Sequence, residues 1–217
     1  LLTHHRTRKK SGQTVIEGVH LLDAFLKQGL TPHKVILSES TFKNDEVAPL
    51  LANIAKKDII ITSNALYKDI RTLGDGVDIM AIIDTPTPTL GDVVGDCLIL
   101  DGLQDAGNFG TLLRNASAVG ITTIITTPAT AHLWSPKCLR AGMGANFALD
   151  IHEHIDIDDI LNQVETPMYA TSSHTDKIIY NHDLTSHIAW VLGHEGQGVS
   201  DVFLQKAIPI ALPQPNG

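Results

Sequence analysis

The sequence predicts an α/β protein whose strands form a mostly parallel sheet with helices on both faces. The first observation behind this prediction is that strand-like and helix-like segments alternate along the 217 residues. The second is that some strand-like segments are short continuous apolar runs, such as residues 98–100, which are typical of buried strands. The third is the composition: 43% hydrophobic and 18% charged residues indicate a packed globular chain and exclude a disordered one.

The N-terminal part contains predicted strands at residues 14–17, 34–37, 59–62 and 78–83. Predicted helices cover residues 18–28, 47–57 and a short stretch that Ser63 caps and that runs to about Arg71. Residues 84–92 follow, with two prolines, three threonines and a glycine but no periodicity, which is typical of a linker. We therefore predict one domain over residues 1–85, a linker over 86–95 and a second domain over 96–217.

The second domain continues the alternation. Its predicted strands are residues 98–100, 122–126, 147–151, 168–171, 189–192 and 208–211. Its predicted helices are residues 110–119, 135–142, 156–164 and 199–206, the second of which has Ser135 as cap and Pro136 in its first turn. Ligands in such sheets bind beyond the carboxyl ends of the strands, so the polar segments that follow these strands are the candidate site.

The first polar segment, residues 101–116, follows a strand and leads into a helix. Gly107 and Gly110 allow close backbone approach, and Asn108 and Arg114 are placed to face one pocket. The alternative is a glycine-rich turn in which Asn108 caps the helix and Arg114 is an ordinary surface residue.

The second polar segment follows the strand that ends at Leu192. It contains Gly193, His194, Glu195, Gly196 and Gly198. A zinc-protease motif would need histidine at position 198, where glycine stands, so that interpretation fails. The pattern fits a ligand-binding loop or a structural turn. The third segment, residues 210–217, begins with Ile210 and Leu212 and ends in a Pro/Asn/Gly turn.

Several other site classes are excluded or disfavoured. No G-x-G-x-x-G motif follows a strand, and neither a P-loop nor a G-x-S-x-G elbow is present. Residues 152–159 have H-x-H and D-x-D spacings, but the simpler interpretation is an exposed strand end followed by an acid-capped helix. We expect no metal.

Charge and cysteine content constrain the partners and the compartment. The net charge of −8 excludes a uniformly basic surface, although Arg6, Arg8, Lys9 and Lys10 form a local basic patch unless they belong to a solvated, frayed terminus. The two cysteines lack C-x-x-C spacing, which fits a reducing cytoplasm. No apolar run approaches the roughly 18 residues that cross a bilayer, so no membrane partner is expected.

The polar segments together resemble the SpoU/TrmH branch of the SPOUT RNA methyltransferases. Residues 108–116 resemble the family's N-x-G-x-x-x-R-x-A motif, and residues 192–199 resemble its L-G-x-E-x-x-G loop. Residues 135–145 resemble its S-P-K…R-A-S-x-G-A segment, with Gly142 where serine is common. Residues 8–18 resemble the opening of the small substrate-binding domain, similar to certain ribosomal proteins, that many of these enzymes carry.

One family motif, S-L-N-x-S, is absent from the 217 residues and is expected soon after Gly217. Either residues beyond Gly217 are missing from the sequence, or the protein is a truncated form. The resemblance implies a trefoil-knotted catalytic domain with a mostly parallel sheet, a preceding small α/β RNA-binding domain, and a homodimer. It also implies methylation of a ribose 2′-hydroxyl in RNA, ribosomal rather than transfer RNA, with S-adenosyl-L-methionine (AdoMet) as methyl donor.

The resemblance also implies roles for individual residues. Asn108, Arg114 and Glu195 form the catalytic group, and the family gives the arginine a role in activating the hydroxyl. A guanidinium stays charged and is a poor base, so we prefer a role for Arg114 in stabilising a developing alkoxide or orienting the adjacent phosphate, which can itself take the proton. Glu195 orients the first polar segment rather than acting as the base. The cofactor-binding residues are Thr171, Ser172, Gly193, His194, Glu195, Gly196, Gly198, Ile210 and Leu212. The RNA-binding residues are Arg6, Arg8, Lys9, Lys10, Lys137 and Arg140.

Two other functions compete with this one. The absent third motif favours a non-catalytic RNA-binding protein with a degenerate methyltransferase domain, which AdoMet binding would distinguish. The acidic net charge favours a small-molecule α/β enzyme that uses a nucleotide, which would show no RNA affinity even at low salt.

Overall fold

The computed structural model describes residues 1–2, 4–74 and 76–213, and of His5 only the backbone. The elements are numbered along the chain. The strands are β1 (Gln13–Glu17), β2 (Lys34–Ser38), β3 (Ile59–Thr62), β4 (Ile79–Asp84), β5 (Cys97–Asp101), β6 (Thr123–Thr126), β7 (Asp150–His152), β8 (Met168–Thr171), β9 (Ala189–Gly193) and β10 (Ile208–Ile210). The helices are α1 (His5–Ser11), α2 (Val19–Lys27), α3 (Glu39–Phe42), α4 (Ala48–Leu51), α5 (Asn64–Ile70), α6 (Ala106–Ala118), α7 (Pro136–Gly142), α8 (Ile157–Gln163) and α9 (Asp201–Lys206).

The chain divides into two units, the first of which comprises Leu1–Pro86 and Leu133–Ala148. Its sheet has the strand order β1-β4-β2-β3, in which β4 is antiparallel to β1 and β2 while β2 and β3 are parallel. The apolar face of α2 belongs to its core, as the helical spacing predicts. Its buried residues include Val15, Ile16, Leu21, Leu22, Phe25, Val35, Leu37, Ile79 and Ile83.

The segment Leu133–Ala148 differs from the sequence-based division, because it packs within the first unit although we expect it in the second domain. The Thr14 hydroxyl of β1 donates a hydrogen bond to the Trp134 carbonyl at 2.8 Å. A Cβ atom at Gly144 would lie 2.6 Å from the Cβ of Ala24, so glycine at this position permits the close approach of the segment to α2. These contacts join residues far apart in the sequence. A division made along the sequence assigns each stretch to one domain and therefore cannot include such contacts. The predicted domain boundaries stay a prediction.

The second unit comprises Thr87–His132 and the residues from Leu149 onward. Its six strands lie in the order β10-β8-β9-β5-β6-β7, and every adjacent pair is parallel. The predicted mostly parallel sheet is therefore confirmed. All five residues of β5 are buried, as expected for a central strand covered on both faces.

Beyond the two central strands of this sheet, β5 and β9, the chain continues to strands on opposite sides of the pair. The chain continues from β5 to its neighbour β6, whereas from β9 it passes through α9 to β10 on the other side of the sheet. The loops after β5 and β9 therefore begin side by side and diverge. In α/β sheets, ligands bind at such a change of direction between neighbouring parallel strands.

Three sequence-based predictions of secondary structure were wrong in extent. The helix predicted at residues 47–57 is only α4, since the chain turns at Asn53, a residue that favours turns, and Ile54 donates back to the Leu51 carbonyl. The helix predicted at 110–119 begins at Ala106, and Val119 is 72% exposed after its end. The strand predicted at 147–151 is a 3-10 turn at Ala145–Ala148 followed by β7.

Within the described part of the chain, no helix combines the length and the apolar character that crossing a bilayer requires. The trefoil knot implied by the resemblance stays a prediction, and the turn predicted at residues 214–217 lies outside the described residues.

Candidate active site

The first two polar segments predicted from the sequence lie side by side in the second unit. They follow β5 and β9, whose parallel register places Asp101 opposite Gly193. The loop that leads from β5 into α6 therefore starts beside residues 194–198. The structure thus joins two segments that are about 90 positions apart in the sequence.

Glu195 connects these two segments through its carboxylate. One oxygen, Oε1, accepts hydrogen bonds from the Asp105 N–H and the Asn108 side-chain amide, both at 3.1 Å. The other, Oε2, accepts from the Gln104 N–H at 3.3 Å. We call these three hydrogen bonds the Glu195 clamp; it fixes the start of α6 against the loop after β9.

The Glu195 clamp acts on the ionised carboxylate. The hydrogen bond from the Asn108 amide, together with backbone N–H groups including those of Asp105 and Gln104, lowers the pKa of Glu195 from its ordinary 4.5 to about 2. Partial desolvation opposes this shift. Glu195 is therefore a charged acceptor at neutral pH, and a proton on it would turn one of its two accepting oxygens into a donor and weaken the clamp.

The start of α6 differs from the sequence prediction. Asp105 is the N-cap and accepts a hydrogen bond from the Asn108 N–H at 2.9 Å, so Asn108 lies inside the first turn rather than before the helix. Gly107 and Gly110 favour a later start by propensity, but the Asp105 cap and the burial of Phe109 outweigh that preference. The side-chain amide of Asn108 is consequently directed to Glu195.

Arg114 lies on an exposed stripe of α6. Residues 107, 111, 114 and 118 share this side, and all are exposed. Six positions place Arg114 roughly 120° around the helix from Asn108, so the two side chains leave different sides of α6. No hydrogen bond or ion pair joins the Arg114 guanidinium to another described residue.

The loop after β9 is a closed turn. His194 and Gly198 exchange backbone hydrogen bonds of 3.0 and 2.8 Å. His194 Nδ1 accepts from the N–H groups of Gly196 and Gln197, so in the neutral ring the proton lies on Nε2. A Cβ atom at Gly193 would lie 2.1 Å from the Gly198 carbonyl carbon, so the turn closes only with glycine at 193.

A buried network behind this site was not predicted from the sequence. Asp101, at the end of β5, accepts a hydrogen bond from the Thr127 hydroxyl at 3.1 Å and from the Ser200 N–H at 2.8 Å. Thr130 donates to the Leu100 carbonyl and accepts from the Gly102 N–H. The network fixes the loops after β5, β6 and β9; its only signal in the sequence is an aspartate directly after a buried strand.

The residues predicted to bind the cofactor outside the turn lie at the ends of β8 and β10. Thr171 and Ile210 are opposite each other in the parallel register, and the Ser172 N–H donates to the Ile210 carbonyl at 2.9 Å. The side chain of Ile210 is fully buried, whereas Leu212 is 56% exposed. The strand ends that carry these residues lie on the same edge of the sheet as the turn after β9.

The basic residues predicted to bind RNA form helix α1 rather than a frayed terminus. Arg6, Lys9 and Lys10 are exposed. Arg8 is half-buried and donates to the carbonyls of Leu1 and Leu2 at 2.8 and 3.3 Å, and burial lowers its pKa. Three of the four residues therefore present free charge on the surface of the first unit, and Arg8 holds the terminus.

The two basic residues predicted on α7 also differ from each other. Lys137 is exposed. Arg140 lies 3.8 Å from the buried carboxylate of Glu17 and donates to the Thr72 hydroxyl at 3.3 Å. Glu17 also accepts from the Thr72 and Leu73 N–H groups, so Arg140 is part of an internal charge network of the first unit.

Residues 152–159 follow the simpler interpretation only in part. Asp158 and Asp159 lie in the first turn of α8, where acidic side chains favour the helix N-terminus. His152, however, is buried at the end of β7, and its Nε2 lies 2.9 Å from the Asp150 carboxylate. The prediction of an exposed strand end was therefore wrong for His152.

A parallel sheet with a switch between β5 and β9, and a glycine-rich turn clamped to a helix start, define a ligand-binding α/β domain. Residues 96–216 match the model of the SpoU rRNA Methylase family, and the chain belongs to this family. An uncharacterized tRNA/rRNA methyltransferase of Synechocystis is 30% identical over 97% of this chain and 80% of its own length. Mouse mitochondrial rRNA methyltransferase 3 is 30% identical over 76% of this chain, which spans 41% of that protein.

The 23S rRNA (guanosine(2553)-2′-O)-methyltransferase of Bacillus subtilis is 24% identical over 93% of this chain and 79% of its own length. The SpoU methyltransferase AviRb of Streptomyces viridochromogenes, in complex with AdoMet, has a TM-score of 0.86 at 18% identity. That alignment covers 98% of this chain and 85% of AviRb, so the two share a fold.

Proposed function

We propose that this chain transfers a methyl group from AdoMet to a ribose 2′-hydroxyl of structured RNA, with ribosomal RNA favoured over transfer RNA. The Glu195 clamp carries the proposal, because it joins the N-x-G-x-x-x-R-x-A segment to the L-G-x-E-x-x-G turn at the sheet edge where ligands bind. The name of the Bacillus subtilis relative supports both the ribose hydroxyl as acceptor and ribosomal RNA as substrate.

The residues after β8, β9 and β10 fit AdoMet. The turn beyond Gly193 offers the His194 Nε2–H and exposed backbone at Gly196, and the chain near Leu212 is exposed at the same edge. When bound, AdoMet supplies a methyl carbon activated by the adjacent positive sulfur. The turn is fixed by its own hydrogen bonds before any ligand arrives, so little ordering is needed on binding.

Arg114 is proposed to act on the RNA. Its exposed guanidinium would bind the phosphate beside the reacting ribose and stabilise negative charge that develops on the 2′ oxygen. A guanidinium stays protonated in proteins, so Arg114 is not the base. Because its carboxylate is engaged in the clamp and has a pKa of about 2, Glu195 is a positioning residue. The hydroxyl proton passes to the neighbouring phosphate or to water.

RNA binding by the first unit is part of the same proposal. The exposed cations Arg6, Lys9, Lys10 and Lys137 would contact phosphates, whereas Arg8 and Arg140 would support the fold. A local cationic surface reconciles RNA binding with a net charge of −8. The homodimer and the cytoplasmic location remain part of the proposal, and the buried free thiols Cys97 and Cys138 fit a reducing compartment.

The experiment is transfer of tritiated methyl from AdoMet to total RNA separated by size, with the Arg114→Ala variant as control. The proposal predicts label in one size class of ribosomal RNA that the variant fails to produce. Label in transfer RNA alone would contradict the proposed substrate. RNA binding without AdoMet binding or label would indicate a non-catalytic RNA-binding protein instead.

A further inference from the structure

A second cluster of chemically active side chains lies in the second unit, apart from the Glu195 clamp. His132 follows β6, and Glu153 and His154 follow β7, so all three come after the carboxyl ends of two adjacent parallel strands. A search of the described residues for three or more histidine, cysteine or acidic side chains that could share a metal ion finds this group. The proposed methyl transfer does not use it.

The ligand atoms of the cluster converge on His132 Nδ1. This nitrogen lies 2.8 Å from His154 Nε2 and 3.7 Å from a Glu153 carboxylate oxygen. All three ligand atoms lie within 4.8 Å of one another. Ligands of a tetrahedral zinc ion with bonds of about 2.0–2.1 Å are separated by roughly 3.3 Å. The two distances from His132 Nδ1 are within about half an ångström of this separation, and a side-chain shift of Glu153 or His154 would complete the coordination.

The backbone places these side chains by strong local constraints. His154 has φ of +58°, a left-handed conformation that residues other than glycine, asparagine and aspartate rarely adopt. Its N–H donates to the Thr126 hydroxyl at 2.9 Å, and the next residue, Ile155, donates to the Thr126 carbonyl. The loop before His132 is held by a hydrogen bond from the Ala131 N–H to the Leu103 carbonyl. Unusual backbone geometry of this kind concentrates at functional sites.

We infer that His132, Glu153 and His154 form a binding site for a divalent transition-metal ion of the zinc type. Two imidazoles and one carboxylate are ligands that zinc accepts, and they leave one coordination position for water or another ligand. The side chains of His132 and Glu153 are 30% and 14% exposed, so the site is accessible yet partly shielded from bulk water. The proton now shared between the two imidazole nitrogens must move to the other nitrogen of its ring when the ion binds, so that both nitrogens of the pair face the metal.

Other histidine–carboxylate pairs in the chain provide a contrast. His187 Nδ1 lies 2.9 Å from the Asp96 carboxylate, and both side chains are exposed. No third described histidine, cysteine or acidic residue completes this pair into a group of ligands. His187→Ala is therefore a matched control that removes an imidazole beside a carboxylate without touching the proposed site.

The test uses the tag-free chain, stripped with a chelator and titrated with Zn²⁺ by calorimetry and with Co²⁺ by visible absorption. We expect one equivalent of Zn²⁺ per chain and the strong visible bands of tetrahedral Co²⁺. His132→Asn and His154→Asn should weaken binding at least about tenfold, since each removes one of three ligands. Asparagine at 154 also tolerates the left-handed backbone, so that variant should fold.

The controls separate the site from surface binding by the other histidines, since the chain has 11. His187→Ala should bind Zn²⁺ as the wild type does, and circular dichroism should show every variant folded. Absence of stoichiometric binding by the wild type, or equal binding by the wild type and a folded His154→Asn variant, would overturn the inference. The experiment is independent of methyl transfer, so its failure would leave the proposed function unaffected.

Discussion

The Glu195 carboxylate accepts a hydrogen bond from the side-chain amide of Asn108 at 3.1 Å, although 87 positions separate the two residues in the sequence. The same carboxylate accepts from two backbone N–H groups at the start of α6. Glu195 therefore couples the position of α6, which carries Arg114, to that of the turn after β9. In-line transfer between two bound partners depends on such relative positioning.

Replacing Glu195 by glutamine should reduce kcat/KM for methyl transfer about 10- to 100-fold, because the new amide N–H₂ would face a backbone donor and release the start of α6. The melting temperature at neutral pH should fall by a few degrees only, because the side chain is exposed although its carboxylate holds the start of α6. Steady-state assays with tritiated AdoMet measure the rate. Glu46→Gln, a change at another exposed glutamate, is the control, and equal rates for both variants would contradict the clamp.

The same clamp predicts a pH dependence of stability. The folded-state pKa of Glu195, about 2, lies below its ordinary 4.5. The stabilisation by the carboxylate is therefore fully present above about pH 4.5 and is lost as the pH falls toward about 2. Melting of the wild type and of Glu195→Gln should differ near neutral pH and converge on acidification. A carboxyl resonance of Glu195 that titrates near 4.5 would be inconsistent with the clamp.

Arg114→Lys should lower kcat for methyl transfer by roughly tenfold or more, because lysine keeps the charge but loses the planar fork that binds a phosphate at two points. AdoMet affinity should be unchanged, since Arg114 is proposed to contact RNA. Single-turnover assays and calorimetry separate the two effects. Asn115→Ala, an exposed change on the same helix, serves as control. Near-normal rates in the lysine variant would rule out the bidentate role.

Gly193→Ala and Gly196→Ala form a matched pair within one turn. An added Cβ at position 193 would lie 2.1 Å from the Gly198 carbonyl carbon, whereas at 196 it would meet the His194 ring at an ordinary 3.7 Å. Gly193→Ala should therefore destabilise the fold by about 1–3 kcal/mol and abolish AdoMet binding measured by calorimetry. Gly196→Ala should fold normally, and similar losses in both variants would show that steric closure at Gly193 is not the cause.

Asp101→Asn tests the network behind the site. Its Oδ2 accepts from the Ser200 N–H and its Oδ1 from the Thr127 hydroxyl, so an amide loses the negative charge that strengthens both hydrogen bonds. Its N–H₂ also forces the Thr127 hydroxyl to turn from donor to acceptor. We expect a loss of about 1–3 kcal/mol in the free energy of unfolding, measured by urea denaturation. Thr111→Ala, an exposed change on α6, should have little effect.

Local signals in the sequence predicted much of the second unit. The apolar runs at β5 and β8 and the Ser135 cap of α7 match the structure closely, because burial on both faces and capping depend on neighbouring residues. Side-chain types and spacing also marked Asn108 and Glu195 as site candidates, and the structure brings both into the clamp.

Long-range contacts account for what the sequence did not predict. Arg140 has the appearance of a free basic residue, but the Glu17 carboxylate, more than 100 positions earlier, lies 3.8 Å from it. Thr127 and Thr130 have no distinctive local pattern, since their role depends on the position of Asp101 across the sheet. His132 and His154 meet only because β6 and β7 are adjacent, so spacing within residues 152–159 could not reveal their pairing.

The measurement that tests the central claim most directly is alkaline hydrolysis of RNA labelled by the wild-type chain. Alkali cleaves RNA through the 2′-hydroxyl, so a methyl group on that oxygen protects the adjacent linkage. We predict that the label appears in alkali-resistant dinucleotides and is absent when Arg114→Ala is used. Label released in mononucleotides would place the methyl group on a base and contradict ribose methylation.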